Sequence, residues 1–210
     1  MPLILALDTT NEYGSIALVR VVPSGAETLE EQQLHEPAGF SKVLFARLDA
    51  LLTRHGVKPA DIDGFAGASG PGSFTGVRVG LACIKGLAEA LAKPAIAVSN
   101  LEALARFGTA PLRAVWIDAR REEVYGAVYD ASGDLVRPEV VMRHDDWRAT
   151  LPPEAELLSG LRPLAATIAR IAAERLARGD RGDPAEIDAN YVRRSDAELL
   201  FRPFNPLPHS

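Results

Sequence analysis

Residues 64–81 constrain the fold of this chain more tightly than any other stretch. Gly64-Phe65-Ala66 is a short apolar strand, and it runs into Gly67-Ala68-Ser69-Gly70-Pro71-Gly72-Ser73-Phe74-Thr75-Gly76-Val77-Arg78-Val79-Gly80-Leu81. Gly70-Pro71-Gly72 reads as a tight turn, because glycine supplies backbone angles that other residues resist and proline fixes its own. Ser73 then stands where a helix N-cap is wanted, its hydroxyl able to accept a free backbone N–H. The helix is expected from Ser73 to Ala92. Such a helix start offers unpaired N–H groups and a favourable dipole to an anion. Yet the pattern is neither a phosphate loop ending in Gly-Lys-Ser/Thr nor the dinucleotide fingerprint. As physics alone, a turn followed by a closely packed helix is the favoured reading, and an anion site is the alternative.

The helix itself carries a second message. Gly76 and Gly80 lie four residues apart and so share one face, while Val77, Leu81, Ile84, Leu87, Ala88 and Leu91 are apolar around much of the rest. A helix nearly apolar all round is buried on more than one side. Each interior glycine gives up about 1 kcal/mol of helix propensity relative to alanine, and close helix approach would compensate. Gly76, Val77, Gly80, Leu81, Ile84 and Leu87 are therefore expected to meet another chain. Packing on a helix at 41–55 within the same chain is the alternative. That second helix carries Phe40, Leu44, Leu48, Leu51 and Leu52 as one stripe, with Phe45 standing off it.

The remaining pattern alternates strand and helix. Strands are expected at Leu3–Leu7, Gly14–Val22 and Glu27–His35, the last polar enough for a sheet edge. After 64–92 come a strand at Ala95–Val98 and a helix at Asn100–Phe107 capped by Ser99. Strands at Arg113–Ile117, Val124–Tyr129 and Leu135–Val141 follow, the last two joined by a turn at Ala131-Ser132-Gly133-Asp134. Arg162–Arg178 is one further amphipathic helix, Gly179–Asp188 a charged linker, and the chain beyond Asn190 an extended tail. Each half opens alike. Asp8-Thr9-Thr10 ends the first strand of one half, and Asp118-Ala119-Arg120-Arg121 occupies the same place in the other. The pattern is a duplicated β-β-β-α-β-α unit.

Composition narrows the function classes. A formal net charge of −5 makes the chain a poor sole carrier of a nucleic acid, whose binding draws on lysine and arginine. Arg120-Arg121, Arg193-Arg194 and Arg202 read as solvated surface charges. One cysteine, Cys83, excludes an intrachain disulfide and fits a reducing compartment. No signal peptide or membrane anchor is expected at the N-terminus, which points to the cytoplasm. The histidines, His35, His55, His144 and His209, are isolated from one another, so a paired-histidine metal site is not expected.

Gly70-Pro71-Gly72-Ser73-Phe74-Thr75-Gly76-Val77-Arg78-Val79-Gly80 resembles the signature of the TsaB family, whose members are subunits of the bacterial machinery for threonylcarbamoyladenosine in tRNA. Ile4-Leu5-Ala6-Leu7-Asp8-Thr9-Thr10 and Trp116-Ile117-Asp118-Ala119-Arg120-Arg121-Glu122-Glu123-Val124-Tyr125 match in the same order, with a weaker echo at Asn190-Tyr191-Val192-Arg193. The resemblance implies an α/β fold of the actin, Hsp70 and sugar-kinase type, ribonuclease H-like in each unit, with a truncated second lobe. The lobes are expected at 1–98 and 99–185, with a tail at 186–210.

The resemblance further implies a noncatalytic subunit that needs no cofactor and activates TsaD, the subunit transferring threonylcarbamoyl to tRNA adenosine. TsaE is a further member of the larger complex, a homodimer is a second association, and tRNA is met through the complex. Phe40 and Leu44 join the α-helical residues above as the implied partner interface, although the family often has a histidine at the position of Phe40 and a proline near Ala46. In ATP-using relatives of this fold the two aspartate hairpins approach the nucleotide phosphates, so Asp8, Thr9, Thr10 and Asp118 are vestigial phosphate-proximal positions. Bulky Arg120, Arg121, Glu122 and Glu123 crowd the second hairpin. An ATP-dependent small-molecule kinase is the alternative class, and a metalloprotease a remote one.

Overall fold

The computed structural model describes residues 1–192. Two sheets carry the architecture. The first has strand order β3-β2-β1-β4-β5, built from β1 (Leu3–Asp8), β2 (Ser15–Val22), β3 (Gly25–Gln33), β4 (Gly64–Gly70) and β5 (Ala95–Ser99). β1 pairs antiparallel with β2 and parallel with β4, so it lies at the centre, and all of its residues beyond Leu3 are buried. The polar β3 lies at the edge, as its sequence predicts.

Strand alternation divides the core in two. Leu5, Leu7, Ile16, Leu18 and Phe65 point to one face, where α1 (Leu44–Arg54) and α2 (Phe74–Leu91) cover them. Ile4, Ala6, Ala17, Val19, Ala66 and Ala68 point to the other, against α5 (Ala165–Ala177). Small alanines on both the strands and α5 let this helix approach closely. Each fully buried leucine or isoleucine contributes about 1.5–3 kcal/mol. The placement of α5 corrects the lobe boundary expected from sequence: residues 99–185 do not form one second lobe, because the alanine stripe of α5 returns to the first sheet.

α3 (Asn100–Ala105) links the lobes, its Ser99 cap accepting from Leu101 N–H at 3.2 Å. The second sheet has order β8-β7-β6-β9, from β6 (Leu112–Arg120), β7 (Glu123–Asp130), β8 (Leu135–Arg143) and β9 (Glu156–Leu158). The short α4 (His144–Ala149) buries Trp147 against Ala114, Val124 and Val128. Neither α4 nor β9 is legible in the sequence pattern, each being too short to show a period. The strand expected at 64–66 in fact continues to Gly70, and the helix expected from Ser41 begins with a 3-10 turn at Phe40–Lys42. Within the expected linker and tail, residues 182–191 pack back on the first lobe. Arg193, Arg194 and Arg202 lie outside the described residues. Among the described residues no helix is long and apolar enough to cross a membrane.

The β6–β7 hairpin reverses through three consecutive residues with positive φ: Arg120 at 66°, Arg121 at 56° and Glu122 at 63°. That conformation costs a residue bearing a Cβ about 1–2 kcal/mol. Glu122 pairs with Arg143 at 3.2 Å, but both side chains are mostly exposed, so the pair returns little. Glu122→Gly is therefore expected to stabilise the chain by about 0.5–1 kcal/mol after the larger unfolded-state entropy of glycine is subtracted. Urea unfolding measures it, and a destabilised variant would show that the strain is not where the dihedrals place it.

Candidate functional site

The signature segment and the β1–β2 turn form one structural unit. Gly72, in the turn before α2, and Gly76 and Gly80 on its first turns recur every four residues, and all three face the β1–β2 turn. A Cβ on Gly72 would sit 2.6 Å from Thr10 O, one on Gly76 2.0 Å from Thr9 O, and one on Gly80 2.5 Å from Thr9 Oγ1 and 2.9 Å from Leu7 Cδ1. With hydrogen there instead, backbone lies on backbone. Thr9 Oγ1 donates to Gly76 O at 2.7 Å, and Ser73 N–H donates to Thr10 O at 2.6 Å. Ser73 caps α2 as expected, accepting from Gly76 N–H at 3.3 Å.

This geometry corrects the expected partner interface. Gly76 and Gly80 are filled by Thr9 and Leu7 of the same chain. Val77, Leu81, Ile84, Phe40 and Leu44 are buried in the first core, and Leu87 packs half-buried against it. The physical reason is that glycine spacing reports close approach without naming the neighbour, and the neighbour is the first hairpin.

The opposite side of the same helices is open. Thr75, Ala82, Gly86 and Ala90 form an exposed stripe of small residues on α2, and a Cβ on Gly86 would meet nothing within 4 Å. On α1, Ala46, Ala50 and Thr53 are exposed beside Phe45, which is 63% exposed. Phe74, at the start of α2, is 54% exposed, with Arg78 stacked 3.8 Å over its ring and Tyr191 beside it. On α1 the leucine stripe separates the buried face from this one, whereas on α2 small and apolar residues occupy both faces and the period does not separate them.

Asp8 and Asp118, equivalent in sequence, differ in structure. Asp8 is 1% exposed, and its Oδ1 accepts from Thr10 N–H at 2.8 Å and Thr10 Oγ1 at 2.7 Å. Thr10 Oγ1 in turn accepts from Asn100 Nδ2 at 2.8 Å, and Asn100 Oδ1 accepts from Gly70 N–H at 3.0 Å. Asp8 thereby ties the first hairpin, the signature turn and the start of α3 together. Thr9 serves α2 and is buried. Asp118 is open to solvent, accepts from Arg120 N–H at 2.8 Å and has the Arg120 guanidinium 3.9 Å away.

Between the lobes lies a cleft of about 790 Å³, with Thr10, Asn100 and Ser73 on one wall and Ile117, Asp118 and Tyr125 on the other. Asp8 does not line it. Thr10 and Asp118 do, and Arg120 and Arg162 bring positive charge to its edge. Among the described residues no three acidic, histidine or cysteine side chains converge as a metal site would require. His35 stacks on Tyr13, His55 pairs with Glu30, and His144 lies against Trp116. Burial pushes the Cys83 thiol up to about 11, the behaviour of a small core residue rather than a nucleophile.

Burial also raises the Asp8 carboxyl above its ordinary 3.8, against the hydrogen bonds of Thr10 and Asn100. The folded chain then holds this proton to higher pH than the unfolded chain, so stability falls as pH rises from about 4 through that window. Asp8→Asn keeps an Oδ1 acceptor for Thr10 and removes the buried charge. The variant is expected to be at least as stable as the parent near neutral pH, with a flatter dependence above about pH 4. Chemical denaturation across pH tests this, and a variant that is less stable at neutral pH would mean the charge itself is needed.

The family described as "TsaD: tRNA N6-adenosine threonylcarbamoyltransferase" matches residues 31–159. The chain is 35% identical over 149 residues to the Bacillus subtilis "tRNA threonylcarbamoyladenosine biosynthesis protein TsaB", a match covering 69% of this chain and 63% of that protein. Its structure superposes on "YeaZ from Pseudomonas aeruginosa" with a TM-score of 0.76 and 29% identity, covering 91% of this chain and all of that one. The chain belongs to the TsaB/YeaZ family, within the TsaD-like domain family. An uncharacterized protein of Mycobacterium tuberculosis is 31% identical over 209 residues, covering 94% of each chain. The match spans less than two thirds of the curated Bacillus subtilis TsaB. Membership in TsaB/YeaZ establishes the two-lobed actin/Hsp70-like fold, and the geometry above explains the signature of the family in this chain. Its glycines seat α2 on the first hairpin.

Proposed function

We propose that the chain is a noncatalytic subunit of the tRNA threonylcarbamoyladenosine machinery that binds TsaD and activates it for transfer of threonylcarbamoyl to tRNA adenosine. The observation that carries this reading is the open α1–α2 face. Two helices on one side of the first sheet expose small residues and two phenylalanines, in a chain that shares a domain family with the transferase. Small residues let a second helix pair approach closely, and Phe45 and Phe74 supply apolar anchors at its margin. The expected interface thus moves from Gly76, Gly80 and their neighbours to Thr75, Ala82, Gly86 and Ala90.

A noncatalytic role accords with the cleft. Asp8 is withdrawn into a hydrogen-bonded turn, and Asp118 is opposed by Arg120, so neither stands ready to hold a metal–phosphate group. The chain meets tRNA through the complex, in the cytoplasm, and TsaE joins the assembly. A second copy of the chain would use the same α1–α2 face, so homodimer and TsaD complex are mutually exclusive.

Co-purification with TsaD, followed by reconstitution of the tRNA reaction with and without this chain, tests the proposal. The expected result is a stable complex and a reaction that requires the chain. A TsaD preparation fully active in its absence, or no complex at all, would overturn it.

A further inference from the structure

Residues 182–191 form a strap that returns across the first lobe to the second. Ala95 N–H donates to Gly182 O at 2.7 Å, Ile187 is buried in the first core, and Lys85 Nζ donates to the Ile187 carbonyl at 3.0 Å. Asn190 is where the strap touches both lobes. Its backbone N–H donates to Ser69 O of β4 at 2.8 Å, and its Nδ2 donates to Glu139 Oε2 of β8 at 2.6 Å. The other oxygen of Glu139 accepts from Tyr129 OH at 2.8 Å and from Ser99 Oγ, the last residue of β5. One carboxylate of the second sheet is thus bonded to two separate points of the first lobe.

We propose that Glu139 is a clasp that sets the angle between the lobes, and with it the width of the cleft. Its three donors come from β5, β7 and the strap, so both oxygens are satisfied together at only one relative placement of the lobes. Hydrogen bonds to an ionised acceptor are roughly twice as strong as neutral ones. Opening the lobes would strip Glu139 of Ser99 and Asn190 and leave its carboxylate with Tyr129 alone. On the opposite side of the junction the Thr10–Asn100 bond is buried and does not depend on the strap. The cleft takes its walls from both lobes, so a fixed angle keeps it at a fixed width. Enzymes of two lobes close on their ligands by bending at such a junction. A clasped chain instead presents the α1–α2 face and the second lobe as one rigid body, whatever partner binds there.

The test uses the full chain alone, so its outcome is independent of TsaD. Nitroxide labels are placed at Ala50→Cys on α1 and Ala149→Cys at the end of α4, both exposed positions, and the labelled chain is diluted into excess unlabelled chain so that distances between copies do not contribute. Cys83 is buried and its thiol stays protonated, so it escapes labelling. Pulsed electron–electron resonance is expected to give a single narrow distance in the otherwise unaltered chain. Asn190→Ala and Glu139→Ala should each convert it to a broad or two-peaked distribution, with the secondary structure retained by circular dichroism. Should Glu139→Ala fail to fold, Asn190→Ala decides alone, since it removes only the strap's side-chain bond. A narrow and unshifted distance in Asn190→Ala, or a broad one in the unaltered chain, would overturn the clasp.

Discussion

Gly76→Ala is expected to destabilise the protein strongly, although alanine is the better helix former. The added Cβ would lie 2.0 Å from the Thr9 carbonyl oxygen, a backbone atom that no rotamer change can move away. Relief requires shifting either α2 or the β1–β2 turn. That shift breaks the Thr9 Oγ1–Gly76 O bond at 2.7 Å and the Ser73 N–Thr10 O bond at 2.6 Å. Overpacking typically costs about 1–3 kcal/mol and occasionally more, and a clash with backbone at 2.0 Å stands at the top of that range, beyond the roughly 1 kcal/mol that alanine gains in helix propensity. A whole domain has only about 5–15 kcal/mol of stability, so the loss is a large share of it. Gly80→Leu should behave alike, because it is opposed by Thr9 Oγ1 at 2.5 Å and Leu7 Cδ1 at 2.9 Å. Expression yield and urea unfolding measure both. A soluble Gly80→Leu variant with unaltered stability would show that this face is free, and would restore the interface where the glycine spacing first placed it.

Ala82→Arg and Gly86→Arg should do the reverse, leaving the fold intact and abolishing assembly with TsaD. Both positions are exposed on α2, and nothing lies within 4 Å of a Cβ at Gly86. In the isolated chain an arginine there extends into water, and at Gly86 it even removes a residue of poor helix propensity. In a close helix–helix contact the same side chain separates the surfaces and buries a charge without a partner. Misplaced bulk costs about 1–3 kcal/mol, which weakens binding roughly tenfold to a hundredfold before the charge is counted. Affinity for TsaD, measured by calorimetry beside the melting temperature of each variant, separates the two effects. Gly86→Ala is the control, expected to stabilise the free chain by about 1 kcal/mol and to bind nearly as well. Unchanged affinity of both arginine variants would remove the α1–α2 face from the interface.

Much of the fold was legible because it depends on neighbours in sequence. The continuous apolar run of β1, the polar edge strand β3, the Ser73 and Ser99 caps and the repeat of an aspartate hairpin in each half all follow from local pattern, and the structure bears them out. The signature at 70–80 likewise carried the family. What the pattern does not contain is the identity of a neighbour. Gly72, Gly76 and Gly80 announce that something approaches within backbone distance, and whether it is Thr9 of the same chain or a helix of another depends on where β1 lies. The same limit governs α5, whose alanines fit a closely packed sheet without saying which sheet. Asp8 and Asp118 are a third case, equivalent in the chain yet one enclosed by Thr10 and Asn100 and the other open beside Arg120. The sequence by itself determined the longer elements, their order and the family, since hydrophobic period, turn chemistry and capping act over a few residues. Only the tertiary structure decided which face of α2 is free, which lobe α5 joins and which aspartate is enclosed, since burial and close approach belong to pairs of residues far apart along the chain.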